Sequence, residues 1–238
     1  MTRPGATDPR AGDSDPAPAR IVMPGQRRAF YSLGEEIAHS LTHGLGAALS
    51  VAGLVLLINR AVASGDPWRL ISFSIFGATM VVLYTSSTFY HALRPPRARN
   101  VFKILDHAAI FLLIAGSYTP FLLVSLRSVW GWILLGVVWG LALGGIVFKV
   151  FCVGRFKLAS TLLYLGLGWL GVVVMKPLLS QITTGGLLWL IAGGLAYSIG
   201  TIFYLWRAMK YHHAVWHVFV MAGSICHWWV VYEYVGHW

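Results

Sequence analysis

The sequence predicts an all-α polytopic membrane protein, a bundle of seven transmembrane helices. Of its 238 residues, 57% are hydrophobic and only 11% are charged, whereas about 25% of the residues of a typical soluble domain are charged. Its mean hydropathy is +0.69. A chain with so few polar side chains cannot cover a globule in water, so we expect its apolar residues to face lipid in the cell membrane.

Residues 1–30 differ in composition from the rest of the chain, because they are rich in Pro, Gly, Ala and charges of both signs. They contain no apolar run long enough for the hydrophobic region of a signal peptide. We therefore expect a disordered cytoplasmic tail over residues 1–30 and a membrane domain over residues 31–238.

From Ile37 onward, long apolar runs alternate with short charged breaks. A helix needs about 20 residues to cross about 30 Å of hydrocarbon, and backbone amides in lipid must find their partners within the segment. The sequence therefore predicts seven membrane-spanning helices. They cover approximately residues 37–59, 69–92, 104–126, 130–150, 158–178, 185–207 and 213–235.

The basic residues are distributed unevenly over the two sides that seven spans define. One side holds four of the 18, namely Arg60, Arg69, Arg127 and Lys176, which leaves 14 on the side of the N-terminal tail. The positive-inside rule then predicts a cytoplasmic N-terminus and an outside C-terminus. We attribute the formal net charge of +10 to this topology and expect no nucleic acid partner.

Five polar residues lie at the ends of predicted spans. Ser87 and His91 close the second span, Asp106 opens the third, and His213 and His217 open the seventh. With the N-terminus cytoplasmic, all five lie at one depth, near the inner boundary of the membrane. Ionisable residues inside a membrane are costly and usually face the bundle interior or a water-filled cavity. We therefore expect these five residues to meet.

The same residues suggest a metal site. A spacing of four residues stacks His213 and His217 on one helix face, about 6 Å apart, where they can share one metal ion. With His91, three neutral imidazoles and one open position form the ligand set of a catalytic zinc site. Asp106 would hold or deprotonate the water that the metal activates. Ser87, one turn from His91, would donate a hydrogen bond to that water or to a substrate carbonyl oxygen.

Spacing alone leaves alternatives open. A histidine pair can also be a hydrogen-bonded packing element. His39 and His43 form a second pair at the same spacing, with Glu36 nearly one turn before them, and by spacing they are an equally good metal site. Glu36 and His43 also suit a place behind the ligands or on a cavity wall, and Glu36 suits a helix start, where its charge fits the helix dipole.

Three motifs carry a family resemblance. Ser87 and His91 have the form SxxxH, Asp106 is followed by Gly-Ser-Tyr-Thr-Pro at 116–120, and His213 and His217 have the form HxxxH. Together these motifs resemble the signature of the progestin and adipoQ receptor family. The short length and the segment EEIAHSLTHG at 35–44 resemble its haemolysin III branch. The resemblance extends from about residue 31 to the end of the printed sequence.

This resemblance implies a seven-helix bundle with a cytoplasmic N-terminus. It also implies a zinc ion held by His91, His213 and His217, with Asp106 and Ser87 around its water, and so favours this set over the pair formed by His39 and His43. Because the family is related to the alkaline ceramidases, hydrolysis of a lipid amide is the implied chemistry. The haemolysin name implies instead a pore-forming or cytolytic activity.

Two hypotheses about function follow. The first is a zinc-dependent hydrolase that acts on an amide or ester bond of a membrane lipid. The second is a membrane-perturbing or pore-forming protein, or a non-enzymatic membrane-homeostasis factor, with a structural metal site. A pore needs polar residues from one face to the other, but residues 158–178 and 185–205 are almost purely apolar. We therefore favour a blind cavity. The sequence identifies no protein partner.

Overall fold

The computed structural model describes residues 31–174 and 178–236, and this part of the chain is helical without strands. The predicted disordered tail over residues 1–30 lies outside it. Within these residues, the α-helices of at least 12 residues are α1 (Leu33–Ser64), α2 (Pro67–Ala92), α3 (Pro96–Pro120), α4 (Val129–Cys152), α5 (Lys157–Gly168), α6 (Thr184–Leu205) and α7 (His212–Tyr234).

Six helices of the described chain are long and apolar enough to cross a membrane. They are α1, α2, α3 with its extension to Ser125, α4, α6 and α7. The prediction of an all-α, multi-pass membrane protein is therefore confirmed. The fifth predicted span differs, because α5 is an α-helix only as far as Gly168 and continues as a 3₁₀ helix over Trp169–Val174. The fifth predicted span therefore contains a change of helix type after Gly168.

A side chain of α3 forms hydrogen bonds with the backbone where α5 ends and the 3₁₀ helix begins. The last carbonyl groups of an α-helix have no partner within the helix. The hydroxyl of Tyr118, on α3, lies 2.6 Å from the carbonyl oxygen of Gly168 and 3.0 Å from that of Leu167, and it accepts the N–H of Gly171 at 2.7 Å. Tyr118 therefore stabilises a helix end that local sequence does not reveal.

α3 begins earlier than the apolar pattern predicted. It starts at Pro96, because proline is tolerated in the first turn of a helix, where its missing N–H needs no partner. The break between the second and third predicted spans, residues 93–103, is consequently helical from Pro96 onward, and Asp106 lies within the helix instead of at its start. At the other end, Pro120 precedes a π-helical turn over Phe121–Ser125, as expected where proline interrupts the regular hydrogen bonds.

Two apolar cores hold the bundle together. The first lies between α1, α2 and α7 and includes the fully buried Leu57, Phe73 and Val231. The second lies between α3 and α4 and includes Phe111 and Val138. Since α1 packs against both α2 and α7, and α2 against α3, the starts of α1, α3 and α7 come together with the end of α2.

Neighbouring glycines of α4 provide a test of this packing. A Cβ at Gly145 would lie 2.5 Å from Cζ of Phe111, which is 2% exposed, whereas a Cβ at Gly144 has no neighbour within 4 Å. We expect Gly145→Ala to lower the free energy of unfolding by about 1–3 kcal/mol through overpacking. Gly144→Ala should be neutral or stabilising by up to about 1 kcal/mol. Denaturant unfolding in detergent measures both, and equal effects would contradict the α3–α4 contact.

Candidate metal centre

Three histidines meet where α2 ends and α7 begins. His91 lies in the last turn of α2, and His213 and His217 lie one turn apart at the start of α7. All three are buried, and their potential ligand atoms lie within 4.8 Å of one another. Three imidazoles at this separation fit a first-row divalent cation in donor type and number. The cluster could therefore bind a metal ion.

Two of these imidazoles have polar partners at Nδ1. Nδ1 of His217 lies 3.1 Å from Oγ1 of Thr42 and 3.3 Å from the carbonyl oxygen of His39. Nδ1 of His91 lies 2.7 Å from a carboxylate oxygen of Glu36. Histidines that bind a metal characteristically donate their other ring N–H to a carbonyl or a carboxylate. In the tautomer that donates from Nδ1, Nε2 carries the lone pair that binds a cation.

Glu36 connects three helices at this end of the bundle. Its Oε2 atom lies 2.7 Å from Nδ1 of His91, on α2, and 3.8 Å from Nδ1 of His39, on α1. Its Oε1 atom forms an ion pair with Arg99 on α3. Glu36 therefore does more than start a helix: it supports a ligand candidate, as one of the sequence alternatives proposed.

His39 and His43 do not form a separate site. The ring centroid of His39 lies 4.6 Å from that of His91, 4.8 Å from that of His213 and 5.4 Å from that of His217. The ring of His43 stacks on that of His217, with centroids 3.5 Å apart and planes inclined by 11°. Both members of the competing pair thus belong to one histidine cluster, which consists of His39, His43, His91, His213 and His217.

Asp106 and Ser87 occupy different places beside the histidine cluster. Asp106 is 8% exposed and lines the same cavity as His213 and His217, with Oδ2 3.3 Å from Nδ1 of His107. Ser87 is fully buried one turn before His91, and its Oγ has no hydrogen-bond partner in the described chain. Asp106 therefore faces the cavity, whereas Ser87 lies among buried side chains next to a ligand candidate.

A cavity of about 190 Å³ extends from the histidine cluster between α3, α5, α6 and α7. Asp106, His43, His213 and His217 contribute to its polar end. The rest of its wall is mostly apolar, with Leu113, Phe121, Leu165, Leu190, Trp216 and Val220 among the lining residues. An apolar cavity with a few convergent polar groups is typical of a small-molecule or cofactor site.

Sequence reasoning missed two residues around the cluster, Arg99 and Thr42, and assigned no role to a third, His39. Arg99 lies between the second and third predicted spans, so its ion pair with Glu36 depended on the early start of α3. Thr42 offers no signal of its own, because its contact with His217 requires α1 to pack on α7. His39 carried a signal, the four-residue spacing to His43, but spacing could not say which imidazoles it would meet.

The chain matches the family model described as haemolysin-III related over residues 31–228. It is 49% identical to a hemolysin-3 homolog of Bacillus subtilis (strain 168) over 195 residues, which are 82% of this chain and 92% of the relative. It is 48% identical to hemolysin-3 of Bacillus cereus over 201 residues, 84% of this chain and 92% of the relative.

A more distant relative is the adiponectin receptor protein of Drosophila melanogaster. It is 26% identical over 235 residues, which are 87% of this chain and 53% of the relative. No solved structure matches the chain. The family match covers most of the described helices, including His91, His213 and His217. The chain therefore belongs to the haemolysin III branch of the progestin and adipoQ receptor family, a group of multi-pass membrane proteins that lie in the plasma membrane in bacteria.

Proposed function

We propose that the protein is a zinc-dependent hydrolase that cleaves an amide or ester bond of a membrane lipid. One observation carries the proposal: three buried imidazoles, those of His91, His213 and His217, converge, and two of them, those of His213 and His217, line a mostly apolar cavity. When bound there, zinc would polarise a carbonyl group and lower the pKa of a water molecule towards about 7. The family's relation to the alkaline ceramidases, which the motifs imply, agrees with this chemistry.

The residues around the histidine cluster have separate roles in this proposal. Asp106, on the cavity wall beside His213 and His217, orients the attacking water and accepts its proton. Ser87, buried one turn before His91, would donate its hydroxyl hydrogen to a carbonyl oxygen held next to His91 and stabilise the charge that develops there. A buried hydroxyl without a partner is costly, so a group of the substrate that accepts its hydrogen bond would remove this cost.

The substrate class follows from the cavity. Its mostly apolar wall suits an acyl chain, while Asp106 and the histidines at one end suit the polar linkage that is cut. If the N-terminus is cytoplasmic, this end lies near the inner boundary of the bilayer, where the linkage between headgroup and acyl chain is found. A membrane lipid can then enter without leaving the interface.

We propose further that the chain crosses the membrane seven times, with a cytoplasmic N-terminus. α5 contributes 12 α-helical residues and the following 3₁₀ helix contributes six. At 1.5 Å and 2.0 Å per residue these segments extend about 18 Å and about 12 Å, which together match about 30 Å of hydrocarbon. The excess of Lys and Arg on the side of the tail supports the orientation.

A second candidate function is membrane perturbation or cytolysis, with the metal as a structural element. The names of the two Bacillus relatives, hemolysin-3 homolog and hemolysin-3, favour it. The cavity favours the hydrolase, because its wall is mostly apolar and Asp106, His213 and His217 line it together. Protein-dependent conductance or dye release from liposomes would support the second candidate against the first.

The topology can be tested with single cysteines. In a background with Cys152→Ser and Cys226→Ser, which removes the two free cysteines, we expect Ala63→Cys to react with a membrane-impermeant maleimide in intact cells. Ala63 lies in the last turn of α1, shortly before α2 begins, and Arg94 lies shortly after α2 ends. Arg94→Cys should therefore react only after the cells are opened. The reverse pattern would overturn the proposed orientation, and equal labelling of both would overturn the single crossing by α2.

Metal binding can be tested by elemental analysis of protein purified without chelator. We expect His213→Ala/His217→Ala to contain one equivalent of zinc less per chain than wild type, because the variant retains a single imidazole of the ligand set. His227→Ala is the matched control, since it removes another histidine of α7 that contacts the carbonyl oxygen of Leu190. Circular dichroism verifies folding. Equal zinc contents in wild type and the double variant would refute the ligand set.

Catalysis can be tested on lipid amides and esters presented in vesicles. Asp106→Asn should lower kcat by about 10²–10⁴-fold, the usual contribution of a positioned general base, while the zinc content is unchanged. Ser87→Ala should also lower kcat, whereas Ser86→Ala, its buried neighbour, should not. A zinc-loaded wild type that cleaves no lipid amide or ester, or full turnover in His91→Ala, would refute the hydrolase.

A further inference from the structure

The geometry points to a second metal position beside the first, formed by Glu36, His39 and His91. We infer that it binds a first-row divalent cation and that His91 belongs to both positions. This inference rests on the proposed metal centre, because the shared residue is one of its ligands. It adds a donor set and a metal equivalent that the hydrolase proposal does not require.

The donor atoms of the second position are already close together. One ligand atom from each of Glu36, His39 and His91 lies within 4.8 Å of the other two. Oε2 of Glu36 lies 2.7 Å from Nδ1 of His91 and 3.8 Å from Nδ1 of His39. Two imidazoles and a carboxylate are a ligand set that zinc sites use, and similar sets bind iron and manganese.

The imidazole of His91 can serve two ions because its nitrogens lie on different edges of the ring. Nδ1 faces Glu36 at 2.7 Å, whereas Nε2 is a second buried nitrogen of the same ring. A cation at the second position would replace the proton between Nδ1 and the carboxylate, which is released to water, so that His91 binds both ions as an imidazolate. Nε2 of His91 then binds the cation at the first position, together with His213 and His217.

Burial and charge also favour a cation here. His39 is 0% exposed and packs against the rings of His91 and His213, although the first position needs only three imidazoles. Polar groups inside a membrane are costly and usually functional. Glu36 contributes negative charge through Oε2, while Arg99 pairs with its other oxygen, Oε1, and fixes the carboxylate as outer partners of metal ligands do.

The competing explanation is that Glu36 only orients His91 through a hydrogen bond. The two explanations differ in stoichiometry. An orienting carboxylate changes the affinity of the first position by about 10–100-fold when it is removed, but it leaves the number of ions unchanged. A ligand of a second position changes the number of ions that bind.

Stoichiometry can be measured on full-length, metal-free protein in detergent by titration with Co²⁺, followed by absorbance, and by zinc content after equilibrium dialysis. We expect two equivalents in wild type and one in Glu36→Gln and in His39→Asn. His213→Ala/His217→Ala should retain one, and His91→Ala should bind neither ion tightly. Glu35→Gln is the matched control, because Glu35 is a neighbouring carboxylate that caps α1 through Ser32 and belongs to neither ligand set, and this variant should bind two equivalents.

Each other outcome has a definite meaning, provided that circular dichroism shows a folded variant. One equivalent in wild type and none in His213→Ala/His217→Ala overturns the second position and leaves the first intact. One equivalent in wild type that persists in His213→Ala/His217→Ala and is lost in Glu36→Gln supports the second position and refutes the first. No ion in wild type overturns both. Glu36→Gln is nearly isosteric, so loss of binding in it does not arise from lost packing volume.

Discussion

The contact between Glu36 and Arg99, extended through His91, is the interaction on which the candidate site depends. It joins α1, α3 and α2, and it does so in a bundle whose surroundings are apolar. Removing a carboxylate from water costs several kcal/mol, which is offset only when a counter-charge and hydrogen bonds are in place. Arg99 supplies the charge and His91 the hydrogen bond, so the three helices must come together at this end for the partly buried Glu36 to have both partners.

The rest of the histidine cluster follows from this constraint. Once α1 and α2 are joined, the first turns of α1 carry His39 and His43 towards α7, where the imidazole of His217 stacks on that of His43 and contacts the carbonyl oxygen of His39. The helix backbone thereby contributes an acceptor to the site. The cluster is thus a product of helix packing, and the apolar core between α1, α2 and α7 holds its members at fixed separations.

The cavity separates two physical environments within one bundle. At its polar end lie Asp106 and histidines, and away from them the wall is mostly apolar. Tyr118 helps to shape this space, because its hydroxyl satisfies the backbone where α5 becomes a 3₁₀ helix, and both segments line the cavity. A cavity with a polar region and a mostly apolar wall suits an amphiphilic ligand. The fold therefore brings ionisable side chains and a mostly apolar wall together in one cavity.

The sequence by itself determined the helical class, the approximate position of every long apolar helix and the residue types of the candidate site, because hydropathy and four-residue spacing are local properties. It also indicated that Ser87, His91, Asp106, His213 and His217 lie at one level. Only the tertiary structure decided that His39 and His43 join the same cluster, that Arg99 lies on a helix and pairs with Glu36, and that α5 gives way to a 3₁₀ helix at the hydroxyl of Tyr118. These features depend on contacts between residues far apart in the chain, and no pattern within one segment records which neighbours its side chains will meet.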